Sequence, residues 1–516
     1  MSNTRLFRPI TLTNHYNQSN YITLLENSLL GVKSQNRPAT LESGTPKILS
    51  RIITVLLWLL FAANIAYLFF FFPSVPDWSY ENILRVNGFT ILIWSTVTFF
   101  GALVSTYASN YLKGFRYHTK FMVLCLVFTL AVMLFVVSEH IALLLFSWLL
   151  MGIIMSRLIG VDTQWGEARE ASKFTLKYFL TGTLFLSAGV LLLAYQSNEY
   201  TIREIVASID ELPMYMLSIA AVCIIIAAII QSAIYPFHRW LLSAMTAPTP
   251  ASALMHAGFV NGAGILLALF STVLFATNTL DLLFVIGGLT AIIAQFTKLL
   301  QVNVKQKLAC STIAQMGFMI MQCGLGFFNA AVAHLILHGF YKAYLFLSSG
   351  EEIVHSRPKK ALHFRITPVQ AIAVLVFGIL GAVLFAQLTG KGTTLDSSVF
   401  LTLIVAITVG QATYNIVKER SLSLVQKIFV PPVLFIVGIA SYALMYNGVT
   451  VLMADLPMVA VALPLSAVQI IFGAIFLIGF FIMKLGIYKN VPWLYVKLMN
   501  ISQPYKKSIL FYKSKS

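Results

Sequence analysis

Three ionisable residues stand at helical spacing inside one apolar run. His334, His338 and Lys342 occupy positions i, i+4 and i+8 of HLILHGFYK, so a helix sets all three on one face across a rise of about 12 Å. Ionisable groups at membrane depth are costly and usually functional. Histidine titrates near physiological pH, so such a ladder can hand protons along its length. Histidines at i and i+4 can also share a zinc ion. The glutamate of an HExxH motif and a third ligand are missing here, so no metal site is expected. The bland alternative is that the three groups only hydrogen-bond neighbouring helices.

A second polar feature runs from Gln231 to Gly264, QSAIYPFHRWLLSAMTAPTPASALMHAGFVNGAG. Pro236 interrupts an apolar run, and Pro248 with Pro250 opens the next helix. A broken helix is therefore expected across Gln231, Pro236, Pro248 and Pro250. Breaks at membrane depth line cavities and leave backbone groups free for ions or water. His256 lies roughly a turn into the following segment. A third feature is GKGTTL around Lys391, where Gly390 and Gly392 are placed to interrupt a helix; taken alone, it is equally an ordinary loop.

The elements that carry these residues are set by hydropathy. Of 516 residues, 58% are hydrophobic and 10% charged, against about 25% charged in soluble domains. Fourteen apolar runs are long enough to cross a bilayer: 51–72, 86–107, 119–138, 140–160, 174–195, 213–234, 250–277, 281–300, 308–328, 331–350, 367–388, 398–416, 428–446 and 459–484. In hydrocarbon each run must satisfy its own backbone, so the expectation is an all-α polytopic membrane protein of about 14 transmembrane helices.

Charge orients them. With the N-terminus in the cytoplasm, the outer segments hold only Arg85, Arg203 and Lys391 among the basic residues, and Lys342 is within a span; the other 31 of the 35 Lys and Arg lie on or at the edge of the inner side. Ten of the 18 acidic residues fall outside. This positive-inside bias puts both termini in the cytoplasm. It also accounts for the net charge of +17 through topology and anionic lipid, without nucleic acid. The four cysteines, Cys125, Cys223, Cys310 and Cys323, form no CxxC pair, so neither a disulfide framework nor a thiolate metal site is expected. Residues 1–50 form a polar cytoplasmic extension without a secretory signal, 51–486 the membrane domain, and 487–516 a basic, aromatic tail that is cytoplasmic or interfacial.

FSWLLMG, SAIYPFHRWLLSAMTAPTPASALMHAG, KQKLACSTIAQMGFMIMQCGLG and HLILHGFYKAYLFLSSG resemble the antiporter-like membrane subunits of respiratory NADH:quinone oxidoreductase and of multi-subunit cation/proton antiporters, over roughly residues 85–420. The resemblance implies two inverted five-helix repeats, each containing a broken helix, and a line of charged residues that moves protons. His256, His334, His338 and Lys342 match positions of that polar axis. Lys391 matches, over a shorter stretch, the lysine of the second broken helix. Two positions depart from the pattern. Leu149 replaces the glutamate that follows Trp, and Gln231 replaces the lysine before the first break, so the pair that serves the first half-channel is missing.

Within this superfamily the wording is most similar to the DabB family, the membrane subunits of two-component DAB inorganic carbon transporters of bacteria. That resemblance implies a hetero-oligomer with a DabA-like large zinc subunit, similar to β-carbonic anhydrases, in the cell inner membrane. The membrane chain would conduct a cation, with H+ the expectation, and drive CO2 hydration in the partner. Catalysis and zinc would belong to the partner, with no cofactor in this chain. The alternatives are a cation/proton antiporter or NADH:quinone oxidoreductase membrane-arm subunit, and a non-conducting scaffold.

Overall fold

The computed structural model describes residues 47–349, 368–406, 409, 424–485 and 491–509. The N-terminal extension expected over 1–50 lies almost wholly outside the described residues. Long apolar runs bury their backbone polarity within themselves, and the chain is accordingly helical. Among the described residues, ten helices are long and apolar enough to cross a membrane.

In chain order the first are α1 (Lys47–Phe71), α2 (Gly88–Tyr111), α3 (His118–Val137), α4 (Ile141–Ile159), α5 (Gly166–Ser197) and α6 (Met214–Gln231). A short helix α7 (Arg239–Ser243) leads to α8 (Thr249–Ala257) and α9 (Gly262–Leu269). Then follow α10 (Leu280–Leu300), α11 (Val304–Gly324), α12 (Phe328–Ser348), α13 (Pro368–Thr389), α14 (Leu424–Leu452), α15 (Ala467–Leu485) and α16 (Pro492–Ile501). Residues 398–406 are also helical.

Start signals are local. The Asn87 side chain accepts from the Thr90 N–H at 3.0 Å to cap α2, and Asn303 accepts from Lys305 and Gln306 to cap α11. One antiparallel hairpin, Trp78–Tyr80 with Leu84–Val86, sits on the acidic side of the bundle. There the Arg85 guanidinium grips Asp77 at 2.7 Å and holds that carboxyl below its usual range.

Burial separates rim from axis. In the membrane window of α1 only 17% of residues are buried, so the rest of this chain leaves most of that helix uncovered; the segment Thr249–Leu269 is 89% buried and lies at the centre. The tightest pair is α10 with α11. A Cβ on Gly317 would stand 2.7 Å from the Gly287 carbonyl oxygen and the Ala291 nitrogen, so only glycine permits this approach. Their short connection returns α11 from the end of α10 and brings Lys298 and Lys305 to the same basic end.

One sequence expectation changes. Segment 250–277 is not one continuous helix. It is interrupted at Gly258–Asn261, where a 3-10 turn joins α8 to α9, and again at Phe270. Gly390 and Gly392, which the residues alone leave as either a break or a loop, lie in the loop between α13 and the helical residues 398–406. The helix α13 runs uninterrupted for 22 residues, and both glycines take positive φ (66° and 77°) in the loop that ends it. That loop is tied to the acidic side: the Ser397 N–H donates to the Leu463 carbonyl and its hydroxyl to the Leu325 carbonyl.

Candidate functional site

Helix α12 presents the ladder as its spacing requires. The imidazoles of His334 and His338 lie 6.1 Å apart and nearly parallel. One turn further, Lys342 is 0% exposed, and its ammonium donates to the Leu308 carbonyl at 3.0 Å. The buried His256 reaches the same place from α8, stacking at 4.3 Å on Phe346, one turn beyond Lys342. His256 and His338 are both within electrostatic range of Lys342, and of each other.

The feature that sets these groups apart is what they do not touch. Neither ring nitrogen of His256 or of His338 has a protein hydrogen-bond partner, and neither does Nε2 of His334. An unpartnered buried polar atom costs about 1–3 kcal/mol. Nitrogens left open in this way are fitted to water, the mobile partner that also carries protons. Neither ion pair found among the described residues, Arg85–Asp77 or Lys173–Glu170, includes a member of the line. Among the described residues, no group of three or more His, Cys, Asp or Glu converges as a metal site needs.

The broken helix of the first half is arranged oppositely. The Gln231 amide donates to the Phe259 carbonyl at 3.3 Å, the Ser232 hydroxyl to the Val260 carbonyl at 2.6 Å, and the Trp240 indole N–H to the Ile230 carbonyl at 2.8 Å. These bonds tie the end of α6 to the interruption between α8 and α9, while Nδ1 of the buried His238 has no protein partner among the described residues. Pro248 caps α8 and Pro250 lies in its first turn, while Pro236 is exposed in the connection between α6 and α7. Leu149 is a half-buried apolar residue on α4.

Other functional candidates emerge only from tertiary packing. Asn261, in the interruption between α8 and α9, donates to the carbonyls of Ala257 (2.7 Å) and Leu335 (3.3 Å), which ties the interruption to α12 between His334 and His338. Its Oδ1 has no protein partner. Lys298 is within electrostatic range of Lys342, and Lys305 of His256. Lys305 also donates to the Ala247 carbonyl at 2.8 Å, holding the segment that precedes α8. In the sequence both lysines look like ordinary flanking charges.

On the acidic side of His334, Phe318 packs at 5.1 Å. One turn beyond Phe318, the Gln322 side chain meets the Tyr442 hydroxyl. Asn329 donates to Thr450 at 2.7 Å, next to Tyr446. These neutral polar groups form a seam between α11, α12 and α14. Lys391 lies at the same end, its ammonium 5.1 Å from the centroid of the Phe327 ring, beyond the start of α12 and apart from the three-residue ladder. Glu139 and His140 are structural. Glu139 accepts from the Arg203 N–H at 2.8 Å, His140 caps α4 through Ala142, and burial raises the Glu139 carboxyl above its ordinary range despite nearby Arg85 and Arg203.

A model of the NADH:quinone oxidoreductase/Mrp antiporter transmembrane family matches residues 138–417. A relative from Halothiobacillus neapolitanus, described as probable inorganic carbon transporter subunit DabB2, is 32% identical over 81% of this chain and 72% of its own length. The Bacillus anthracis protein described as probable inorganic carbon transporter subunit DabB is 31% identical over 63% of this chain and 64% of its own length, so the chain spans about two thirds of these relatives. In fold, the chain is similar to a solved structure of the Mrp complex from Dietzia sp., with TM-score 0.55 and 21% identity, over 83% of this chain and 47% of that one. The family model covers more than half of the sequence, and the chain belongs to the NADH:quinone oxidoreductase/Mrp antiporter transmembrane family.

Proposed function

We propose that this chain is the membrane subunit of an energy-coupled inorganic carbon transporter. It conducts H+ through its second half and drives CO2 hydration in a separate large zinc subunit. The observation that carries the conducting role is the buried His256–His338–Lys342 cluster, whose ring nitrogens are left open by the protein. The names of the relatives supply the carbon chemistry, which this chain's residues do not. In this reading the chain lies in a bacterial inner membrane with both termini in the cytoplasm. Catalysis and zinc belong to the partner.

The route runs from the acidic to the basic side. Lys391 stands at the outer mouth, the seam of Gln322, Tyr442 and Asn329 leads inward, and Phe318 separates that seam from His334. The proton then passes His334, His338 and Lys342, with His256 alongside, and leaves past Lys298 and Lys305. One charge moved through 100 mV releases about 2.3 kcal/mol, enough to bias a partner's equilibrium by roughly 50-fold. A cation/proton antiporter or respiratory membrane-arm subunit is the second reading, favoured by the shared fold. Leu149 and Gln231 speak against it, because neither can change charge.

The test is Lys342→Ala in cells that depend on the two-subunit system for growth at low CO2. Rescue of growth should disappear while the protein stays in the membrane at its normal level. Full rescue would overturn the conducting role. Purification in mild detergent tests the partner: absence of a large zinc-containing subunit from a complex that still transports carbon would overturn that part.

A further inference from the structure

The C-terminal segment is bound to the inner end of the first broken helix. Helix α16 lays Leu494 and Leu498 against Phe296, Leu300 and Ile482, across the basic ends of α10 and α15. The chain then turns along α5 and α7. His238 is in hydrogen-bond contact with the Ile501 carbonyl at 2.8 Å, the Tyr505 N–H donates to the Ser243 hydroxyl at 2.9 Å, and the Tyr505 ring stacks on Phe174 at 4.3 Å. Between this strap and α7 lies a groove of about 500 Å³, lined by Arg239, Pro492, Trp493, Val496, Lys497 and Ile501, with Asn500 at its edge.

The groove joins two opposite chemistries. Arg239 and Lys497 are exposed cations without a carboxylate partner among the described residues. Beside them Trp493 is 67% exposed and Val496 55%. Apolar side chains this bare, level with the last turns of membrane helices, are stable against acyl chains, and indole favours the headgroup boundary. Two cations next to an apolar floor at that depth fit a phosphate ester that carries hydrocarbon. An acidic protein segment would match the charges and leave Trp493 and Val496 without apolar cover.

We infer that the groove between α7 and α16 is a binding site for an anionic phospholipid, with the phosphate between Arg239 and Lys497 and an acyl chain along Trp493 and Val496. Ile501 lines the groove and also meets His238, so a seated lipid joins the strap to the inner end of the broken helix. The site stands apart from the ion path and does not depend on which ion the chain conducts.

The test uses the full chain in nanodiscs of phosphatidylcholine containing a minor fraction of phosphatidylglycerol, with retained lipids counted by native mass spectrometry after transfer to detergent. Wild type should retain phosphatidylglycerol in preference to phosphatidylcholine. The variant R239Q/K497Q should weaken that retention by about 30-fold, from two charges at roughly 1 kcal/mol each. K506Q/K507Q removes equal charge from the adjacent turn, outside the groove, and should leave it unchanged. Equal retention of both lipids by wild type, or equal loss in both double variants, would overturn the site. So would release of the phosphatidylglycerol by inorganic phosphate alone, since the apolar floor would then contribute nothing. Should R239Q/K497Q fail to fold, Lys497→Gln at an exposed position serves, with an expected loss of about fivefold.

Discussion

The two halves of the bundle treat their interrupted or charged helices in opposite ways. In the first half, Gln231 is matched with Phe259, Ser232 with Val260 and Trp240 with Ile230, and Nδ1 of the buried His238 is left open. Around α12, the imidazoles of His338 and of His256, which arrives from α8, are held in place by ring packing and helix register, and among the described residues their nitrogens meet no protein partner. A saturated network is rigid and has no vacancy for a proton. An open one is less stable and can accept one. The chain therefore holds a largely matched break and an open cluster, and the difference lies in a few side chains.

That contrast can be broken at its strongest point by a matched pair of variants. Lys342→Ala should remove proton flux in proteoliposomes that hold the complete complex, while Gln231→Ala should leave flux at the wild-type level. Equal loss in both would erase the distinction between the halves. Next in size is His338→Phe. It should also stop flux, yet thermal unfolding should show unchanged or greater stability, by up to about 1 kcal/mol, because two orphan nitrogens give way to an apolar ring of similar shape. A destabilised His338→Phe protein would argue that the imidazole is a structural hydrogen-bonding group. Tyr442→Phe should slow flux more modestly and leave stability near wild type, a measurement that tests whether the α11–α14 seam feeds His334.

Around the matched break the expected effects are on stability. Trp240→Phe should lower it by about 1–3 kcal/mol through the orphaned Ile230 carbonyl, with flux retained. The smallest effect concerns the strap. The His238 imidazole is pushed down to about 4, chiefly by burial; the Ile501 carbonyl opposes the shift and the Arg239 guanidinium adds to it. Its folded value lies below the ordinary 6.5, so burial of the neutral imidazole under the strap contributes its full stability above that value and loses it as pH falls toward about 4. Hydrogen exchange across 491–509 should rise over that window, and His238→Gln should flatten the rise.

Much of the architecture was legible in the residues. Runs such as 281–300 and 331–350 coincide within a few positions with Leu280–Leu300 and Phe328–Ser348, because hydrophobicity over 20 residues is a local property. The run at 174–195 was too short: α5 begins at Gly166, since a polar first turn in GEAREASK is helical without being apolar. The interruption at Gly258–Asn261 lies within an apolar stretch that hydropathy reads as continuous. At Gly390–Gly392, where the residues allow either a break or an ordinary loop, both glycines lie in the loop between α13 and the helical residues 398–406.

By itself, the sequence determined that the chain is a bundle of membrane helices, which end of the bundle is basic, and that His334, His338 and Lys342 share a face, since period and composition act over one or two turns. Tertiary structure decided which polar groups are closed and which are open. Lys342 meets a carbonyl 34 residues away, Gln231 one 28 residues away, and His238 one 263 residues away. Whether a buried nitrogen is bonded depends on what distant helices bring to it, and helical periodicity carries no record of that.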